Sequence, residues 1–178
     1  FDVSKKKPLK DIFYAMSHGV NRATLKKGKN DSRIHFLNTL VNKISEINYD
    51  FYGFQNKEPI WGNDFYKALI NSKMGLNLSR GLPAKYYSSN RIASLMGNGL
   101  LTFVDRKTQL NDIFTRNEII FYDNIKDLSE KIKFYKKKDS LRQKIASNGK
   151  KKYFKYFNEL KTTKYFIETS LGLKNDLY

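Results

Sequence analysis

Short apolar runs bounded by glycine or polar turns alternate along this chain with longer stretches of helical period. That alternation restricts the fold more than any other feature. Apolar runs of strand length separated by amphipathic helices are the sequence form of a parallel sheet covered by helices on both faces. Asp11 to Ser17 (DIFYAMS) reads as a first strand, followed by a basic loop, HGVNRATLKKGK, at 18–29. Asp31 is placed to cap the next helix, in which Ile34, Leu37, Leu40, Val41 and Ile44 recur at helical spacing. Tyr49 to Phe54 (YDFYGF) supplies a second strand and completes a βαβ unit.

The loop QNKEPIWG, a helix from about Asn63 to Asn71 and a third strand at Met74 to Leu78 come next. A polar loop, SRGLPAKYYSS, leads into a helix over Asn90 to Asn98 that Gly99 ends, then a fourth strand at Leu100 to Asp105 and a short fifth at Glu118 to Tyr122. Beyond Asp123 the chain reads as helical. Ile125, Leu128, Ile132 and Tyr135 fall on one face, and Leu141, Ile145, Phe154 and Phe157 continue the apolar theme. The expectation is an α/β, Rossmann-like, doubly wound parallel sheet of about five strands with C-terminal helices. The 178 residues suit a single domain with one core. The chain opens on Phe1 and runs almost directly into strand sequence, as an excised piece of a longer protein does.

Cysteine is absent, which removes a disulfide framework, a thiolate zinc site and a cysteine nucleophile together and suits a reducing compartment. No apolar run reaches the ~18 residues of a membrane span, and no signal peptide opens the chain, so the expected compartment is the cytoplasm. The formal charge of +17 favours phosphates, whether in nucleic acid, anionic lipid or a nucleotide diphosphate. Lysines outnumber arginines 27 to 7 beside abundant Asn, Ile, Tyr and Phe, a bias that an AT-rich coding sequence also produces. Lys126 to Lys164 alone carries a net +10, which reads first as the wet side of amphipathic helices and second as a surface suited to the inner face of a membrane.

In an open parallel sheet, ligands bind beyond the carboxyl ends of the strands, so the loops after strands carry the chemistry. The first offers Gly19 for close backbone approach, Asn21 and Thr24 as neutral donors, and Arg22 with Lys26 or Lys27 for phosphate. It is neither a Walker loop nor a complete G-x-G-x-x-G pattern. The loop after the second strand holds Trp61, which either stacks on a base or, more in keeping with its chemistry, plugs the domain edge. Ser79 to Gly99 is the densest region: Ser79, Arg80, Tyr86, Ser89, Asn90 and Arg91 crowd a strand end and a helix start, where backbone donors and a partial positive charge face an anion.

The run SKMGLNLSRG, then Arg91, MGNG, LLTFVD and EIIFYDNIKDLSEKIKFYKKKDSLRQKIASNGK resembles the C-terminal, nucleotide-sugar-binding half of two-domain (GT-B) bacterial glycosyltransferases of the spore-maturation type. The similarity spans Phe13 to Lys152, and the helix pair after EIIFY, with Leu141, Arg142, Ala146 and Gly149, is its most distinctive part. A weaker likeness, on KYYSSNRIASLMGNG, is to bacterial fucosyltransferases, with Asn90 where their pattern has an acid. The resemblance implies that Arg91 contacts the donor diphosphate, that Gly99 ends the donor-site helix, and that Arg22 and Lys27 cover the phosphates. Many relatives place glutamates where this chain has Tyr86 and Ser94. Serine keeps a hydrogen bond for a ribose hydroxyl but not an ionised acceptor.

The implied activity is transfer of a sugar from a nucleotide diphosphate to a glycan, lipid or protein acceptor, as in polysaccharide biosynthesis, without metal or other cofactor. Its partner would be an N-terminal domain that supplies the general base, leaving this piece inactive alone. No D-x-D pair or histidine cluster stands ready for a divalent ion. His18, directly after the first strand, is the candidate for direct chemistry, whereas His35 falls inside a helix. Two other readings are a basic nucleic-acid-binding module, which lacks any recognition-helix, RNP-like or GXXG signature, and a glycosyltransferase-like domain without turnover.

Overall fold

The computed structural model describes residues 7–17 and 31–173. The elements in chain order are β1 (Lys10–Ala15), α1 (Ser32–Lys43), β2 (Tyr49–Tyr52), α2 (Gly62–Ile70), β3 (Ser72–Asn77), α3 (Asn90–Gly97), β4 (Leu101–Asp105), β5 (Ile120–Tyr122), α4 (Ile125–Lys136), α5 (Asp139–Tyr156) and α6 (Glu159–Ser170). All five strands are parallel, in the order β2-β1-β3-β4-β5. This is the α/β, Rossmann-like fold. The chain winds outward from β1 to β2 and then back past β1 to β3, so the winding reverses between β1 and β3 and leaves a crevice there.

Successive strand side chains point to opposite faces, and here both faces are apolar. Ile12, Tyr14, Met74, Leu76, Leu101, Phe103 and Ile120 pack with Leu37 and Leu40 of α1 and Leu128 and Ile132 of α4. Their neighbours turn the other way: Phe13 meets Leu69 of α2 and Leu95 of α3, while Val104 and Phe121 meet Ile92 and Met96 of α3. Two glycines permit close approach. A Cβ at Gly75 would overlap the Leu95 side chain, and one at Gly149 would overlap the backbone carbonyl of Glu118. At Gly75 the Leu95 tip would have to move, and at Gly149 the backbone ahead of β5 leaves no room for a Cβ.

Asp31 caps α1 as expected, its carboxylate accepting from the Arg33 amide at 3.0 Å. Several boundaries differ from the sequence reading. β2 stops at Tyr52 because Gly53 turns to φ +71° and Phe54 bridges back to Lys57. β3 begins at Ser72, two residues early. β5 begins at Ile120 because Glu118 is held in a turn, its carboxylate accepting from the Thr115 amide at 2.6 Å. Leu141 and Phe154, expected on the core face, are exposed. The face α5 buries is Arg142, Ile145, Ala146 and Gly149, and at about 100° per residue Leu141 lies about 90° to one side of its centre and Phe154 about 130° to the other. Arg142 earns a core position by donating from Nη1 to the carbonyl of Lys73 at 3.2 Å. α6 buries no residue.

Part of the C-terminal lysine excess has structural work. Lys136 pairs with Asp11 at 2.9 Å, Lys133 with Glu46 at 2.9 Å, Lys131 with Asp127 at 2.8 Å and Lys152 with Glu118 at 3.4 Å. No helix among the described residues is long and apolar enough to cross a membrane.

Candidate functional site

The ends of β1 and β3 and the start of α3 enclose an open cleft of about 610 Å3. Ser17, Ser79, Ser89 and Asn90 line it with three arginines, Arg33, Arg80 and Arg91, and among the described residues no acidic side chain is part of its wall. Ser89 occupies the N-cap of α3 in extended conformation but does not cap it with its side chain. Its hydroxyl is directed instead to Asn77, donating to Oδ1 at 3.1 Å. The Ile92 amide closes the first turn on the Ser89 carbonyl at 3.0 Å, while the Asn90 and Arg91 amides have no partner among the described residues and, with their share of the helix dipole, are left for whatever enters the cleft.

Arg91 is fixed by the sheet rather than by an acid. Its Nη1 donates to the carbonyl of Leu78 at 2.8 Å and its Nε to that of Ala15 at 3.2 Å, so one guanidinium ties the ends of β1 and β3 together. The group lies 4.9 Å from the centre of the Tyr14 ring, and the Tyr14 hydroxyl donates to the same Leu78 carbonyl at 3.1 Å. Arg33 leaves the first turn of α1 and bonds through Nε to both oxygens of Asp31, at 3.0 and 3.1 Å. Arg80 approaches the same carboxylate at 3.8 Å. A single buried acid therefore organises two of the three arginines.

Burial disfavours the charged form of Arg91, and the nearby Arg33 repels it further, so its pKa falls below that of an ordinary guanidinium despite the partial negative charge of Tyr14. Arg33 is also penalised by burial, but its bonds to Asp31 and Tyr14 outweigh this and raise its pKa. A cation that is desolvated, repelled by a like charge and, among the described residues, unmatched by an acid of its own favours an incoming anion.

The structure brings together Ser79, Arg80, Ser89, Asn90 and Arg91 of the residues singled out from the sequence. Four others lie outside the cleft wall. Trp61 is 64% exposed at the N-cap of α2, which corrects the expectation that it plugs the domain edge: α2 turns its Ala68 and Leu69 inward and leaves the indole outside. Tyr86, at φ +56°, swings away and donates to Asp112 at 2.7 Å. Ser94 donates to the Asn90 carbonyl of its own helix at 3.0 Å. Gly99 turns the chain at φ +80° behind α3, the expected end of that helix. His18, Gly19, Asn21, Arg22 and Lys27 lie outside the described residues, and His35 sits exposed in α1. Arg33 was not singled out from the sequence; its signal is its position two residues after a capping aspartate, which gives an arginine a carboxylate partner on a helix start. Among the described residues no group of three or more His, Asp or Glu is placed to hold a metal ion.

The fold recurs in solved structures. TarM superposes with a TM-score of 0.63 at 14% identity over 94% of this chain and 36% of its own length. The sucrose-phosphate synthase of Thermosynechococcus elongatus does so with a TM-score of 0.55 at 10% identity over 85% of this chain and 38% of its own. The chain thus spans little more than a third of either structure. No curated protein matches the sequence. The glycosyl transferase-like family matches residues 26–164, from ahead of α1 into α6 and across the whole arginine cleft apart from Ser17, and the chain belongs to that family.

Proposed function

We propose that the arginine cleft binds the diphosphate of a nucleotide sugar, and that this chain is the donor-binding part, the C-terminal half, of a GT-B glycosyltransferase of the spore-maturation type. The convergence of Arg33, Arg80 and Arg91 on the start of α3, which no side chain caps, with no acid among the described residues of the wall, carries the reading. During transfer, charge accumulates on the departing diphosphate, and preorganised guanidinium and amide donors stabilise it without reorganising. Arg91 is preorganised by its two carbonyl anchors, whereas the half-exposed Arg80 closes on the anion from the loop. The acceptor is a glycan, a lipid or a protein, and the base that activates it comes from the partner domain that this reading implies.

Nucleoside diphosphates test the proposal by thermal shift. A ligand at ten times its Kd stabilises by about 1.4 kcal/mol, which for a chain of this size raises Tm by about 3–6 °C. UDP or GDP should do so, and Arg80→Ala should remove the shift while leaving the unliganded Tm near that of the wild type. If no nucleotide moves Tm while RNA binds tightly with steep salt dependence, the nucleic-acid reading replaces this one.

A second reading is favoured by Tyr86 and Ser94, whose hydroxyls are committed to Asp112 and to the Asn90 carbonyl. Under it the domain binds a donor without turning it over. Nucleotide-sugar binding without transfer or hydrolysis by the longer protein would support it.

A further inference from the structure

Beside the arginine cleft lies a smaller pocket of about 150 Å3, which shares Arg33 and Ser79 with it. At the ~30 Å3 that a liquid water occupies, it has room for about five waters, the space of one small ring and too little for a nucleoside. Phe36 and Leu78 are its apolar lining, and Asp105 and Tyr122 also line it, with the Tyr122 ring 6.2 Å from that of Phe36. These two end β4 and β5 and are register partners in the parallel ladder, so their side chains leave the same face of the sheet next to each other.

Tyr122 is 1% exposed, and its hydroxyl has no hydrogen-bond partner among the described residues. A buried, unpaired hydroxyl is costly, and in a native fold it calls for an explanation. Burial first, and then the charge of Asp105, push its pKa up, so the phenol stays protonated and remains a donor at any physiological pH. One oxygen of Asp105 accepts from the Lys107 amide at 2.8 Å, and the other has no hydrogen bond among the described residues. A donor without an acceptor thus stands beside an acceptor without a donor. An alcohol satisfies both at once, by accepting from the phenol and donating to the carboxylate.

We propose that this pocket receives the sugar ring of the nucleotide-sugar donor, with one ring hydroxyl bridging Tyr122 and Asp105 and the C–H face of the ring against Phe36 and Leu78. The inference rests on the arginine cleft being the diphosphate site, because the shared Arg33 and Ser79 place a ring in this pocket one short linkage from an anion in that cleft. Tyr122 and Asp105 then select among donor sugars, and neither is a catalytic residue.

The test is isothermal titration of the wild type, Tyr122→Phe and Arg80→Ala with UDP, UDP-glucose, UDP-N-acetylglucosamine, GDP and GDP-mannose. Tyr122→Phe keeps the ring that fills the core and removes only the orphan hydroxyl. It should leave nucleoside diphosphate affinity unchanged while weakening the preferred nucleotide sugar about five- to tenfold, the size of one lost hydrogen bond. Asp105→Asn should weaken the same sugar and not the bare nucleotide. If Tyr122→Phe raises Tm and alters no affinity, the hydroxyl is only an uncompensated buried group and the proposal fails while the diphosphate reading stands. If the wild type binds neither nucleotides nor nucleotide sugars, the diphosphate reading falls and takes this one with it.

Discussion

Replacing Gly149 by alanine sets two opposed effects against each other in the middle of α5. On an exposed helix the change would stabilise by about 1 kcal/mol, because glycine has the poorest helix propensity after proline. Here the new Cβ overlaps the Glu118 carbonyl oxygen and lies 3.3 Å from both the Glu118 carbonyl carbon and the Met96 methyl. The opposing atom is backbone, in a segment pinned by the Glu118 carboxylate to the Thr115 amide at 2.6 Å and to Lys152 at 3.4 Å, so it cannot yield as a side-chain tip would. The helix must move instead, drawing Ile145 and Ala146 off the sheet. Overpacking of this kind costs about 1–3 kcal/mol, and a rigid backbone neighbour argues for the upper end. After the gain in propensity, the net destabilisation is about 2 kcal/mol, or about 4–8 °C in Tm for a chain of this length. Gly97→Ala is the internal control, since its Cβ would meet only the tip of Phe154 at 3.8 Å, an ordinary contact. It should be neutral or stabilising by up to about 1 kcal/mol. Urea denaturation of both variants checks the pair, and a Gly149→Ala protein as stable as the wild type would refute the close-approach argument.

Asp11 is buried beneath Lys136 at 2.9 Å, Lys73 at 3.1 Å and the Asn48 amide at 2.9 Å; burial works against its charge, but these partners outweigh it and lower its pKa. A depressed folded pKa means that its stabilisation is complete above the unfolded carboxylate pKa and is lost as pH falls through the folded one. Asp11→Asn should therefore cost about 2 kcal/mol at neutral pH and progressively less in acid, as read from urea midpoints between neutral pH and the bottom of the carboxylate range. Asp31→Asn keeps a capping oxygen but leaves Arg33 without its counter-charge, whereas Asp31→Ala loses both. The alanine variant should be the less stable by about 1 kcal/mol, the worth of an N-cap, in the same assay. Arg91→Ala should abolish the nucleotide-dependent rise in Tm and also lower the unliganded Tm, because it removes both bonds by which the guanidinium ties the ends of β1 and β3 together, whereas Arg80→Ala should do only the first.

The arrangement of elements was legible because strands that bury both faces are written as short apolar runs, and α1 is written as a 3.6-residue period behind a capping aspartate. Arg91 was legible as a cation on the first turn of the helix that follows β3. Tyr86 was not, since its direction depends on a positive φ that leads its hydroxyl to Asp112, and neither residue type announces that turn. Trp61 was read from its chemistry as a plug of the domain edge in preference to a base-stacking group, but α2 turns Ala68 and Leu69 inward and leaves it exposed. In α5 the large residues Leu141 and Phe154 suggested the core face. The buried face is instead the one shared by Arg142, Ile145, Ala146 and Gly149, because only a residue without a Cβ fits where α5 meets the Glu118 carbonyl ahead of β5.

Local sequence thus determined what each segment is, since helical period, strand alternation and capping act between residues a few positions apart. Only the tertiary structure decided what meets what. The order β2-β1-β3-β4-β5, which opens the crevice beside β1, depends on long-range pairing. Arg33 and Arg91 are fifty-eight residues apart in number and share a cleft because α1 and α3 both begin at that crevice. Asp105 and Tyr122 become neighbours only when β4 and β5 pair, and their charge and hydroxyl acquire a joint meaning from that register rather than from anything in the residues on either side of them.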